Sequence, residues 1–132
     1  MAEFTEEHRE RLIAIAEAAR GRAYAPYSRL TVGAALLAGG EVFSAVNVEN
    51  SSLGLTICAE RAAACRAVAE GQREFQAIVI CAQPSTFRPC GACLQVLSEF
   101  SERGEMAVAF RRDGKITTRL LSDLLPLRYG VL

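Results

Sequence analysis

The sequence contains no tryptophan, one histidine and no surplus of charge of either sign, with 15 Lys and Arg against 15 Asp and Glu. A nucleic-acid-binding domain usually carries a basic surplus that neutralises phosphates, so we expect no nucleic-acid partner. No apolar run approaches the roughly 20 residues that cross a bilayer, so we expect no membrane association. The acidic N-terminal stretch lacks the apolar region of a signal peptide, which predicts a cytoplasmic protein.

The cysteine count is odd, at five, in a chain with no recognisable export signal. A disulfide framework is therefore a poor interpretation, and metal binding or catalysis is a better one. The 132 residues, about half of them hydrophobic, fit a single domain spanning residues 1–132 that buries its own core.

The order of hydrophobic patterns predicts a mixed sheet covered by helices, which is the α/β class. Thr5 is a candidate N-cap for a first helix that ends near Gly21. The further helices are expected at Ile57–Ala69 and from Pro89 to about Phe100, and the strands at Thr31–Leu37, Val42–Val48, Phe75–Cys81, Met106–Phe110 and Ile116–Leu120. Loops are expected at Tyr24–Ser28, Asn47–Gly54 and Pro84–Arg88, with turns at Gly39-Gly40 and Asp113-Gly114.

Two short cysteine motifs, Cys58-Ala59-Glu60 and Pro89-Cys90-Gly91-Ala92-Cys93, stand at the predicted starts of two helices. Helix N-termini favour thiolate over thiol, because their free N–H groups and the helix dipole stabilise the anion. Two such starts can direct three thiolates at one Zn²⁺ ion, at roughly 2.3 Å each. Three protein ligands leave a coordination position for water, which is typical of a catalytic zinc rather than a structural one.

Glu60 lies within one helical turn of the first cysteine and can reach the open side of such a metal. A carboxylate there can accept a proton from a bound water and later deliver it to a leaving amine. The alternatives are a structural zinc or a redox pair, but Cys65 and Cys81 fall outside both motifs. His8 has no motif around it, so it is interpreted as a surface residue rather than a ligand.

The sequence closely resembles the small, single-domain cytidine deaminases of the homotetrameric class, over nearly its whole length. The segments that carry the resemblance are Tyr24-Ala25-Pro26-Tyr27-Ser28, Val32-Gly33-Ala34-Ala35-Leu36, Asn47-Val48-Glu49-Asn50, Gly54-Leu55-Thr56-Ile57-Cys58-Ala59-Glu60-Arg61 and Pro89-Cys90-Gly91-Ala92-Cys93. The resemblance implies zinc-dependent hydrolysis of cytidine or 2′-deoxycytidine to the uridine product and ammonia. It also implies a three-layer α-β-α sandwich with a five-stranded mixed sheet, one zinc per chain and a homotetramer.

The resemblance further implies how a nucleoside would be held. Asn47 and Glu49 would bind the ribose hydroxyls, and the backbone of Ala59 would contact the pyrimidine carbonyl. Leu30 stands near the base pocket, where the family often carries Phe. Tyr129 corresponds to an aromatic residue that reaches into a neighbouring subunit's site, although it could instead pack the C-terminal tail onto its own subunit.

This chain departs from the family at Leu94, where the family commonly has an arginine that hydrogen-bonds the thiolates. Arg61 matches one such arginine, whereas Leu94 removes the other, so that either Arg61 and the helix dipoles suffice, another donor compensates, or the site is slower. We hypothesise that Leu94→Arg lowers the pH at which the rate reaches its plateau; the rival interpretation is that Leu94 faces an apolar contact, where an arginine would be a buried, unpaired charge. Leu53 likewise stands where the family often carries Tyr. These departures keep two alternatives open: deamination of a modified cytosine nucleoside or a blasticidin S-type antibiotic, and a non-enzymatic zinc-binding structural or nucleoside-sequestering module.

Overall fold

A computed structural model of the chain describes residues 4–83, 87–112 and 114–130. Its helices and strands follow one another in the predicted order. The helices are α1 (Glu6–Arg20), α2 (Ala59–Ala69), α3 (Gly91–Ser98) and α4 (Leu121–Leu124), and the strands are β1 (Thr31–Ala38), β2 (Glu41–Val46), β3 (Phe75–Gln83), β4 (Ala107–Arg112) and β5 (Lys115–Leu120). Single 3₁₀ turns occupy Leu53–Leu55 and Glu102–Gly104.

The five strands form one mixed sheet in the order β2-β1-β3-β4-β5. β1 runs antiparallel to both β2 and β3, β3 runs parallel to β4, and β4 runs antiparallel to β5. α1 packs on one face through Leu12 and Ala16, and α2, α3 and α4 contribute to the apolar cluster on the other face. The predicted three-layer arrangement with a five-stranded mixed sheet is therefore confirmed.

α1 approaches β1 unusually closely at Gly33. A Cβ atom at this position would collide with the carbonyl oxygen of Ala16 and would lie 2.8 Å from the backbone nitrogen of Arg20. Only glycine therefore allows the last turns of α1 to lie against the strand. This contact fixes where the chain leaves α1, and so where the loop before β1 begins.

The two helices that follow the cysteine motifs begin two residues later than predicted. Cys58 and Cys90 each have an extended backbone and act as the N-cap residues of α2 and α3. β2 in turn ends at Val46 rather than Val48, because Val48 pairs with Ile57 instead of continuing the strand. The short α4 was not predicted, since four residues show no helical periodicity.

Residues 84–86 of the predicted loop Pro84–Arg88 and Asp113 of the predicted turn lie outside the described residues. Among the residues described, no helix is long and apolar enough to cross a membrane. The cytoplasmic location stays a prediction.

Candidate active site

Three cysteine sulfurs converge where α2 and α3 begin. The Sγ atoms of Cys58, Cys90 and Cys93 all lie within 4.8 Å of one another. Cys90 and Cys93 are 3.4 Å apart, sulfur to sulfur, and the backbone N–H of Cys93 donates to the Cys90 sulfur. Within the described ranges, no fourth His, Cys, Asp or Glu joins this cluster.

The first of these cysteines is positioned by a short extended segment, residues 47–49, that lies between two other parts of the chain. Val48 and Ile57 exchange two backbone hydrogen bonds of 2.9 Å each. On the other side, the segment exchanges backbone hydrogen bonds of 3.0 and 2.8 Å with Tyr24. Because Cys58 directly follows Ile57, this pairing sets the first thiol beside residues 47–49.

The electrostatics of the cluster favour a thiolate at Cys58. Cys93 donates a hydrogen bond to this sulfur, and Arg61 donates a second from its Nη2 at 3.4 Å, which together lower the pKa of Cys58 to about 5. The pKa of Cys93 is correspondingly raised, because its proton is held against Cys58 and the group is buried. The bond to Cys58 raises the pKa of Arg61, so this guanidinium stays charged. Arg61 thus contacts a cysteine sulfur, as the resemblance to the family implies.

Glu60 lies in the first turn of α2, two residues after Cys58, and 1% of its surface is exposed. Burial raises its pKa to about 7, and the negative charge on Cys58 adds to the shift. Its Oε1 atom is buried and has no hydrogen-bond partner among the described residues. Buried polar atoms are almost always paired, so an orphaned carboxylate oxygen here indicates a ligand or water partner.

The donor set fits a zinc ion. Tetrahedral coordination at roughly 2.3 Å would bring the sulfurs to about 3.8 Å from one another, which is close to their arrangement here. Metal binding displaces thiol protons, and the Cys58 environment already favours losing one. Three thiolates with an unpaired carboxylate oxygen beside them form an open site rather than a closed structural one.

A cleft of about 160 Å³ opens beside the sulfurs. Eleven residues line it, and they include predicted base, sugar and metal contacts: Leu30, Val32, Asn47, Glu49, Thr56, Cys58, Ala59, Glu60, Phe87, Arg88 and Cys90. Val32, Thr56, Phe87 and Arg88 were not predicted as site residues. Phe87 and Arg88 come just before the second cysteine motif, and that proximity is the signal that could have identified them.

Asn47 and Glu49 line the same cleft as the sulfurs, and both are nearly buried. Asn47 accepts a hydrogen bond from Val32 N–H at 2.9 Å and donates one to the Leu30 carbonyl at 2.7 Å. An amide side chain has two donor hydrogens and two acceptor positions, so one of each remains. Hydrogen bonds, chiefly from the Ser28 hydroxyl, lower the pKa of Glu49, so its carboxylate is ionised and only accepts.

Four predicted residues do not line the cleft: Cys93 and Arg61, which belong to the sulfur cluster described above, and Leu94 and Tyr129. Leu94 is 5% exposed and belongs to the apolar cluster between α2, α3 and the sheet, which favours the packing interpretation of this departure. The Tyr129 side chain is 87% exposed, while its backbone N–H and carbonyl are held by the Gln95 amide at 3.0 and 2.9 Å. The Tyr129 side chain is therefore left largely open to solvent.

Comparison with known proteins adds independent information. Residues 6–109 match the family model described as the cytidine and deoxycytidylate deaminase zinc-binding region. A cytidine deaminase from Sporosarcina psychrophila is 42% identical over 119 residues, which is 89% of this chain and 88% of the relative. The crystal structure of a cytidine deaminase from Burkholderia pseudomallei superposes with a TM-score of 0.83 at 42% identity, covering 91% of this chain and 98% of that one. A blasticidin-S deaminase from Bacillus cereus is 32% identical over 99 residues, 68% of this chain and 69% of the relative.

Proposed function

Because the chain belongs to the cytidine and deoxycytidylate deaminase family, we propose that it hydrolyses cytidine and 2′-deoxycytidine to uridine or 2′-deoxyuridine and ammonia. The predictions of this family, of an enzyme and of a zinc cofactor are confirmed by the matched region and the named relatives. The observation that carries the proposal is the buried, unpaired Oε1 of Glu60 beside three converging sulfurs, in a cleft that Glu60, Cys58 and Cys90 line.

Cys58, Cys90 and Cys93 would hold one zinc ion per chain. Zinc, when bound, supplies an activated water by lowering its pKa toward neutrality. Arg61 and the N-termini of α2 and α3 offset the negative charge of the thiolates.

Glu60 moves the protons. It accepts a proton from the water that attacks C4 and delivers it to the pyrimidine N3. It then carries the proton of the new C4 hydroxyl to the amine, so that the C4–N bond breaks, ammonia leaves and the C4 carbonyl forms. A group that both accepts and donates works best with a pKa near the operating pH, and burial brings Glu60 to about 7.

The nucleoside would occupy the cleft with its base toward Glu60. The N–H of Ala59 is in the first turn of α2, where backbone donors have no partner within the helix, so it can donate to the pyrimidine carbonyl. Leu30 supplies apolar cover for the ring. Asn47 has a spare donor and Glu49 a spare acceptor, which together suit one sugar hydroxyl.

We also propose that the protein assembles as a homotetramer in which Tyr129 contacts a neighbouring site. Its exposed ring and its backbone anchoring on α3 support this interpretation over packing on its own subunit. Sedimentation combined with activity at decreasing protein concentration tests it, because dissociation should reduce turnover. A fully active monomer would return Tyr129 to a local role.

The substrate is tested by the absorbance change of zinc-loaded protein with cytidine, 2′-deoxycytidine, cytosine, blasticidin S and a short single-stranded DNA. We expect turnover of the two nucleosides and background rates with cytosine and DNA. Preferential turnover of blasticidin S would favour the antibiotic alternative, for which the Bacillus cereus relative provides weaker support. Binding of cytidine without turnover would indicate a sequestering module.

A further inference from the structure

The loop between α1 and β1 wraps around the Glu49 carboxylate. Oε1 of Glu49 accepts hydrogen bonds from the backbone N–H groups of Tyr27 and Ser28 at 3.0 and 3.1 Å, and Oε2 accepts one from the Ser28 hydroxyl. A carboxylate offers about four acceptor positions, and this loop occupies three of them. The orientation of the remaining position therefore depends on the loop.

Ser28 is fixed by bonds on both sides of its hydroxyl. The oxygen accepts the backbone N–H of Leu30 at 3.0 Å, so its own hydrogen is directed to Glu49. Arg29 between them has a φ of +62°, in the left-handed region that a non-glycine residue adopts at a cost. Asn47 stabilises this turn from the other side by donating to the Leu30 carbonyl at 2.7 Å.

We propose that Ser28 is a positioning residue for the sugar. Its hydroxyl holds the Glu49 carboxylate in the one orientation that leaves an acceptor position facing the cleft. Ser28 need not touch the nucleoside, since it acts through Glu49. This inference rests on the proposed function, because it assigns the Glu49 acceptor to a sugar hydroxyl of the substrate.

The Ser28→Ala variant removes the hydroxyl but leaves the backbone donors of residues 27 and 28. A hydrogen bond to a charged group contributes enough that we expect kcat/KM for cytidine to fall about tenfold, mainly through a higher KM. Cytidine should lose this factor because its hydroxyls need the oriented carboxylate. 2′,3′-Dideoxycytidine lacks those hydroxyls, so its kcat/KM should change less than about twofold on the same substitution.

The experiment measures both substrates with the wild-type protein, Ser28→Ala and Ser28→Thr, which keeps a hydroxyl and should restore most of the cytidine activity. Ser52→Ala, at an exposed loop serine, is the matched control and should match the wild type. If Ser28→Ala does not fold, Ser28→Cys, whose slightly larger thiol keeps the side-chain shape but donates only weakly, replaces it. An equal loss for both substrates would overturn the inference while leaving the proposed function intact. A zinc-loaded wild type that does not turn over cytidine would overturn both.

Discussion

Two sets of residues at the cleft are built in opposite ways. In the sulfur cluster, Glu60 keeps a buried oxygen without a partner, and the three thiols of Cys58, Cys90 and Cys93 lie within 4.8 Å of one another with no fourth ligand among the described residues. In the Asn47–Glu49 pair, Asn47 already uses half of its hydrogen-bonding positions on Leu30 and Val32, and Glu49 uses three of about four acceptor positions on the loop before β1.

The difference separates the proposed chemistry from the proposed recognition. The sulfur cluster is where we propose that zinc binds and protons move, so changes there should remove turnover. The Asn47–Glu49 pair is held largely by the chain itself, so changes there should act on both the fold and substrate affinity.

The largest effect is expected from the sulfur ligands. Replacing Cys58, Cys90 or Cys93 by Ala should remove bound zinc and bring turnover to background, because two thiolates cannot complete the site. Metal analysis and a cytidine assay on the same samples measure both. Cys65→Ala is the matched control, since this exposed thiol lies on α2 outside the cluster, and it should keep zinc and activity. Full metal retention in all three variants would remove the proposed site.

The next largest effect is expected at Glu60. Glu60→Gln preserves size but cannot transfer a proton, so turnover should fall by roughly 10²–10⁴-fold or more, while zinc content and nucleoside binding are retained. Single-turnover rates and equilibrium binding at matched zinc content separate the two properties. Glu70→Gln, at the exposed C-terminal end of α2, is the control. Near-normal turnover in Glu60→Gln would exclude it as the proton carrier.

Substitutions of Leu94 test whether this position serves the packing of the apolar cluster or the charge balance of the thiolates. Its burial predicts that Leu94→Ala costs about 2–5 kcal/mol of unfolding free energy, while Leu94→Met costs less than about 1.5 kcal/mol. Leu94→Arg should lower the melting temperature, because it buries a charge, and leave the pH–rate profile where it was. A stable Leu94→Arg protein whose rate reaches its plateau at lower pH would instead assign this position to charge balance.

The smallest effect is expected from Glu49 and appears as a pH dependence of stability. Its folded pKa lies below the ordinary value of 4.5, so its contribution is fully present above that pH and is lost as pH falls through the lower folded value. Glu49→Gln lacks this dependence. The melting temperatures of the wild type and the variant should therefore differ most near pH 7 and converge as the pH falls below the folded pKa of Glu49. A difference that stays constant over this range would contradict the assigned hydrogen bonding.

The same contrast explains what could be predicted from the sequence. The sulfur cluster was predictable because its residues lie within two short motifs at helix starts, where Cys58 and Cys90 are the N-cap residues of α2 and α3. The sheet and three helices followed from periodicity, with errors of two residues at the caps, since cysteine is not among the usual N-cap residues.

The role of the Asn47–Glu49 pair could be anticipated only from the resemblance to the family. The bonds from Ser28 to Glu49 and from Asn47 to Leu30 join positions 21 and 17 residues apart, and no local pattern specifies them. Phe87 is placed for a similar reason, since its backbone N–H donates to the carbonyl of Arg111 at 3.0 Å, in a distant part of the chain. Leu94 was interpreted by analogy with an arginine, whereas its burial follows from the packing of α2 against α3.

The central claim is tested most directly by returning zinc in steps to chelator-treated protein and measuring cytidine turnover at each step. The account predicts that uridine and ammonia form in equal amounts and that the rate rises in proportion to bound zinc, up to one ion per chain. A chain that is fully zinc-loaded, folded and able to bind cytidine, yet forms no uridine, would contradict it.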